Sequence, residues 1–152
     1  MLFEVLKWFH ILLVIIAVGA NGMYAVWIQR GTIDKTALSF TLRGVKFIDD
    51  RIANPAYVLV LLTGLGMVLT ADIELTTPWI LLSVILWFVG LLLAVFGYTP
   101  TLRNQIAAAE SHGAGSEEYT AVAWRGTVLG IVLGVMVLFV LYLMVFKPAL
   151  WG

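Results

Sequence analysis

The chain has 152 residues, of which 62% are hydrophobic and only 12% charged, and its mean hydropathy is +1.02. A water-soluble domain carries roughly a quarter of its residues as charges, so the outside of this protein is built to face lipid. The charges balance to zero without a basic tract, which excludes a nucleic-acid partner, and the absence of cysteine excludes disulfides, thiolate metal sites and cysteine nucleophiles.

Crossing a hydrocarbon layer takes about 20 apolar helical residues. In chain order, four stretches meet that length: Phe3 to Ile28, Ala53 to Ala71, Trp79 to Tyr98, and Thr127 to Phe146. Each is expected to be a helix, because unpaired backbone is too costly in lipid and barrel-like alternation is missing. The first run reads as a span and not as a signal peptide. It continues past Asn21, longer than a signal's apolar region, and Glu4 stands in what would be a signal's basic n-region. The expected fold is all-α, a single polytopic four-transmembrane-helix bundle over residues 1–152 embedded in a lipid bilayer.

The connections differ in character. Gln29 to Ile52 mixes charges (Arg30, Asp34, Lys35, Arg43, Lys46, Asp49, Asp50, Arg51) with Ile33, Leu38, Phe40, Val45, Phe47 and Ile48, and reads as an amphipathic helix lying in the interface. Asp72 to Pro78 is a short acidic turn. Thr101 to Arg125 extends the third helix, breaks at Gly113-Ala114-Gly115, and restarts with Ser116 as N-cap and Glu117 and Glu118 in the first turn. Pro100 is expected to kink the third helix, and Pro55 suits a first turn. Arg30, Lys35, Arg43, Lys46, Arg51, Arg103 and Arg125 lie on the first and third connections, against Lys7 and Lys147 on the other side. By the positive-inside rule both long connections are cytoplasmic and both termini outside. Trp8, Trp79 and Trp151 then belong to an outer aromatic belt, and Trp27 and Trp124 to an inner one.

Ionisable and polar groups inside a membrane are functional candidates. At about 100° per residue, Lys7, His10, Val14, Ala17, Asn21 and Tyr24 share one stripe of the first helix. His10 is the one histidine within a span; it is either a neutral imidazole satisfied by a neighbouring carbonyl or hydroxyl, or a ligand or proton-transfer group. Asn21 reads as interhelical glue or a site, and Lys7 as an anchor near the interface. Gly126, Gly130 and Gly134 form a GxxxGxxxG series on the fourth helix. Ser83, Gly90 and Gly97 give a smooth stripe on the third, and Gly64 and Gly66 thin the second. Such surfaces serve packing within one bundle, self-association, or room for a flat cofactor. No serine–histidine–carboxylate set, phosphate loop or HExxH motif occurs, so an enzymatic role is undetermined.

The opening Leu6-Lys7-Trp8-Phe9-His10-Ile11-Leu12, Pro55 followed by Leu62-Thr63-Gly64, Pro78-Trp79, and the terminal Leu143-Met144-Val145-Phe146-Lys147-Pro148 together resemble a bacterial integral membrane family, domain of unknown function 2269. That family is similar to the CopD copper-resistance membrane domain and to HemJ-type protoporphyrinogen oxidases. The resemblance implies a haem b whose axial ligand is His10, with Lys7 and Asn21 as further cofactor-binding candidates on the same stripe. HemJ-type proteins also carry basic residues deeper in the bundle, whereas the later three spans here hold no Lys, Arg or His. The remaining ligand sets are His10 alone, His10 with a methionine or Lys7, or His10 from two protomers. A non-catalytic accessory, scaffold or oligomeric subunit of a larger membrane complex is the alternative. Metal or small-solute transport through Asn21, Thr63 and Ser83 comes third. The expected location is the bacterial inner membrane.

Overall fold

In the computed structural model, which describes residues 1–150, four long helices carry the chain: α1 (Leu2–Ile33), α2 (Leu38–Thr70), α3 (Pro78–Ser111) and α4 (Glu117–Phe146). Each is long and apolar enough to cross a membrane. Trp151, placed in the outer belt by its sequence position, lies outside the described residues.

The amphipathic helix expected between the first two spans is present at Leu38–Ile48, and it joins the second span without a break. Its apolar stripe, Leu38, Leu42 and Val45, is buried. That stripe packs on α1 and on the end of α3, so it is turned toward protein. The join is a π-helical turn, Asp49–Ala53, and a second π turn, Ala94–Tyr98, interrupts α3. Both stand just before a proline, Pro55 and Pro100, in the first turn of the α-helical segment that follows. A proline inside a helix has no N–H for the carbonyl four residues back, and its ring crowds that carbonyl. Widening to a π turn accommodates the defect while the helix continues.

The helices associate as two pairs. α1 packs along α2, and α3 along α4, whereas the membrane parts of α2 and α3, Asn54–Thr70 and Pro78–Leu93, have little direct contact. The pairs are tied at the end of the long connections, where Leu38–Ile48 meets Thr99–Ser111. The buried core gathers there, around Tyr24, Leu38, Leu42, Val45, Ala53, Leu102, Ala108, Ala109 and Tyr119. Arg43 pairs with Glu110 at 2.5 Å across the same junction. Ser116 caps α4 by accepting from the Tyr119 amide at 3.1 Å, with Glu117 and Glu118 in the first turn, as its sequence predicts. Gly113 has a φ of 86°, a left-handed turn that glycine takes without steric cost.

α3 and α4 approach through their small residues. Gly97 faces Leu129, Gly90 faces Met136, and Gly130 faces Tyr98. Gly126 is covered by the Gln105 side chain, which occupies the space a Cβ would need, while Gly134 meets nothing within 4 Å. Gly126→Ala is therefore expected to lower stability by about 1–3 kcal/mol through overpacking, and Gly134→Ala to change it by less than about 0.5 kcal/mol. Denaturant unfolding of both variants in mild detergent checks the contrast; equal midpoints would show that Gln105 simply moves aside.

Candidate functional site

The polar stripe of α1 faces α2. Near one end, His10 Nδ1 lies 3.0 Å from Thr63 Oγ1. The Thr63 hydroxyl has one proton, and its oxygen stands 2.7 Å from the Leu59 carbonyl, four residues back in its own helix. A hydroxyl that donates there can only accept from the imidazole, so Nδ1 carries the proton. Nε2 is then left with its lone pair. Gly64 seats the ring: a Cβ there would stand 3.2 Å from His10 Cε1, and one at Gly66 would stand 3.3 Å from Leu6. The two glycines that thin α2 thus receive successive turns of α1, Leu6 and His10.

About three turns further along α1, Asn21 Nδ2 donates to the Tyr57 hydroxyl at 2.5 Å, and the Trp87 indole of α3 donates to the Tyr57 carbonyl at 3.3 Å. That indole is one of the few bridges between the two helix pairs. One turn beyond, the buried Tyr24 hydroxyl donates to Asp49 Oδ1 at 3.5 Å, and Asn54 Nδ2 donates to Asp49 Oδ2 at 3.3 Å. Asp49 is only 6% exposed and forms no ion pair among the described residues; nearby Lys46 pairs with Asp50 instead. Tyr98, from the other π turn, packs against the same buried core.

His10 and Asn21 therefore share an interface, but they form separate couples with Thr63 and Tyr57. Lys7 is exposed and stands apart from the His10–Thr63 couple. Ser83 is buried and donates to the Trp79 carbonyl of its own helix at 2.6 Å. Among the described residues, no group of three or more His, Asp or Glu side chains is placed to hold a metal ion.

A family model described as a predicted integral membrane protein, domain of unknown function 2269, matches residues 4–148. The chain belongs to this family. Neither the curated proteins nor the solved structures give a match. The matched residues span both helix pairs and every polar couple described above.

The fit to a haem can be tested on the donors. His10 offers an oriented imidazole with a free Nε2, which suits an axial ligand, and it is half-buried and so partly reachable from outside the chain. Two surface hollows lie elsewhere, around Trp27. Among the described residues, no second histidine stands within the apolar part of a span.

Reading the sequence misses Asp49 and its partners Tyr24 and Asn54. The signal was present: Leu38, Leu42, Val45 and Asp49 follow one helical stripe, and Asp50 falls off it. Replacing Asp49 with Ala leaves the Tyr24 hydroxyl and the Asn54 amide without their acceptor. We expect a loss of about 1–3 kcal/mol, against less than about 0.5 kcal/mol for Arg51→Ala, an exposed side chain with no hydrogen bond or ion pair among the described residues. Unfolding midpoints of the two variants in the same detergent give the comparison.

Proposed function

We propose that this membrane protein is a haem-associated component of the bacterial inner membrane, with His10 as axial ligand. The observation that carries the reading is the His10–Thr63 contact at 3.0 Å, with the Thr63 hydroxyl turned to its own backbone. It orients the imidazole, sets its tautomer and leaves Nε2 as the donor, the arrangement in which metal-binding histidines are commonly held. Gly64 leaves room for the ring to approach α2 closely. A bound haem would supply one-electron chemistry inside the bilayer. This chain's part is to hold and orient the ligand and to keep it within an apolar shell. The resemblance of the opening sequence motif to HemJ-type proteins, in which His10 is the matching position, is in keeping with this reading. A group on His10 would not be enclosed by one copy, so a second copy or a partner subunit supplies the remaining shell and, with it, the second ligand.

The test is an absorption spectrum in mild detergent, oxidised and dithionite-reduced. Wild type should show a Soret band with reduced α and β bands, or acquire them on haem titration, and His10→Ala should lose them. Thr63→Val should weaken haem binding by about 10–100-fold, the usual effect of removing a ligand's orienting partner. A wild type that stays colourless after titration ends the haem reading.

A second reading, a non-catalytic accessory subunit, is favoured by the weak packing between the membrane parts of α2 and α3 and by the open surface at Gly134. A partner helix fits where the two pairs part. In either reading the long connections are cytoplasmic and both termini outside, on the strength of the Lys and Arg distribution. The chain has no cysteine of its own, so single introduced thiols report topology directly. In spheroplasts, Asp72→Cys should react with an impermeant maleimide and His112→Cys should not; the reverse pattern inverts the orientation.

A further inference from the structure

The cytoplasmic-side end of α1 carries a feature unrelated to His10. Two open-sided hollows, of about 300 and 310 Å³, adjoin there and share Trp27 and Arg30. One is lined further by Gly31, Ile33, Asp34, Ala37 and Thr41, and the other by Met23 and Val26. The first exists because of a close helix approach. Gly31 is buried against Thr41, whose Cβ would stand 3.0 Å from a Cβ on the glycine, so α2 leaves α1 at a tight angle and a notch remains beside the turn.

The charges in this notch are opposite and unpaired. Arg30 and Asp34 line the same hollow one helical turn apart, yet they form no ion pair among the described residues. Asp34 is turned back on the loop. Its Oδ1 accepts from the Thr36 amide at 3.1 Å and the Thr36 hydroxyl at 2.6 Å, and Oδ2 takes no hydrogen bond among the described residues. Those bonds hold the carboxyl below the usual aspartate range, so it is ionised at neutral pH. Arg30 is exposed and offers a planar fork suited to phosphate. Met23 and Val26, both more than half exposed, continue the groove roughly 10 Å down α1 toward the hydrocarbon. Trp27, between the polar and apolar parts, is also half exposed, as an interfacial indole is.

We propose that this groove is a binding site for one zwitterionic phospholipid with a primary ammonium headgroup, of the phosphatidylethanolamine type. Arg30 takes the phosphate, Asp34 Oδ2 the ammonium, and the Met23–Val26–Trp27 trough the start of an acyl chain. A cation, an anion and an apolar wall in that order match an amphiphile carrying both charges. An anionic lipid leaves Asp34 facing a negative headgroup, and a free phosphate leaves the trough unused.

Native mass spectrometry of the full chain, delipidated in mild detergent and titrated with dioleoyl lipids, reads the binding directly. Wild type should retain one phosphatidylethanolamine about 5–10-fold more tightly than phosphatidylcholine or phosphatidylglycerol, and inorganic phosphate should not compete. Arg30→Gln should abolish the tight adduct. Asp34→Asn should keep phospholipid binding but lose the preference for ethanolamine over choline. Arg51→Gln, at an exposed position outside the groove, should match wild type. Both groove positions are exposed, and circular dichroism confirms that each variant keeps its helices. Equal retention of the three lipids, tighter phosphatidylglycerol, competition by phosphate, or an Arg30→Gln protein that binds like wild type each overturns the assignment.

Discussion

Inside hydrocarbon every backbone N–H and C=O has to find its partner within the protein, since water offers none. That requirement makes the chain four continuous helices, and it decides how the two internal prolines are tolerated. Pro55 and Pro100 each remove a backbone donor, and the chain answers with a π turn directly upstream. The same rule governs side chains. His10 and Thr63, Asn21 and Tyr57, and Tyr24 and Asp49 are matched in couples, and Thr63 and Ser83 return their hydroxyl protons to carbonyls of their own helices. A polar group left over would cost several kcal/mol in such surroundings.

Association in lipid gains little from apolar burial, since lipid tails are as apolar as leucine. Close packing and hydrogen bonds take over, and the two pairs divide these tools unequally. The α1–α2 pair has three side-chain hydrogen bonds and two glycines facing Leu6 and His10, while α3–α4 has one, from Gln105 to the Val122 carbonyl, and relies more on Gly90, Gly97, Gly126 and Gly130. The larger apolar core lies at the long-connection end, where Leu38–Ile48 and Thr99–Ser111 come together. There the protein resembles a small helical domain fused to its own membrane anchor.

Much of this was legible in the sequence, and the reasons differ by residue. The spans follow from composition, and the polar stripe of α1 follows from the eleven-residue interval between His10 and Asn21, close to three turns. The partners Thr63 and Gly64 were not legible as partners. Their meeting with His10 depends on how two helices pair across 53 positions, which no local pattern encodes. Gly126 announces close packing without naming what fills the space, and the answer, Gln105, is a polar side chain from another helix. Asp49 was hidden by its neighbours. Lys46, Asp50 and Arg51 make the segment read as surface, and a proline six residues on suggests a helix start where the helix already runs.

The π turns have a consequence for how the molecule tolerates change. Each holds one more residue than an ordinary turn, so the phases of the segments before and after it are offset from a uniform α-helical register. In α2 this offset sets the angle between the face bearing Leu38, Leu42 and Val45 and the face bearing Thr63 and Gly64. A single-residue deletion within Asp49–Ala53 would turn one face against the other by about 100°. The spacing from Leu38 to Gly64 is thus a geometric constant of the molecule, held by residue count more than by residue identity, and its length should vary less than its composition.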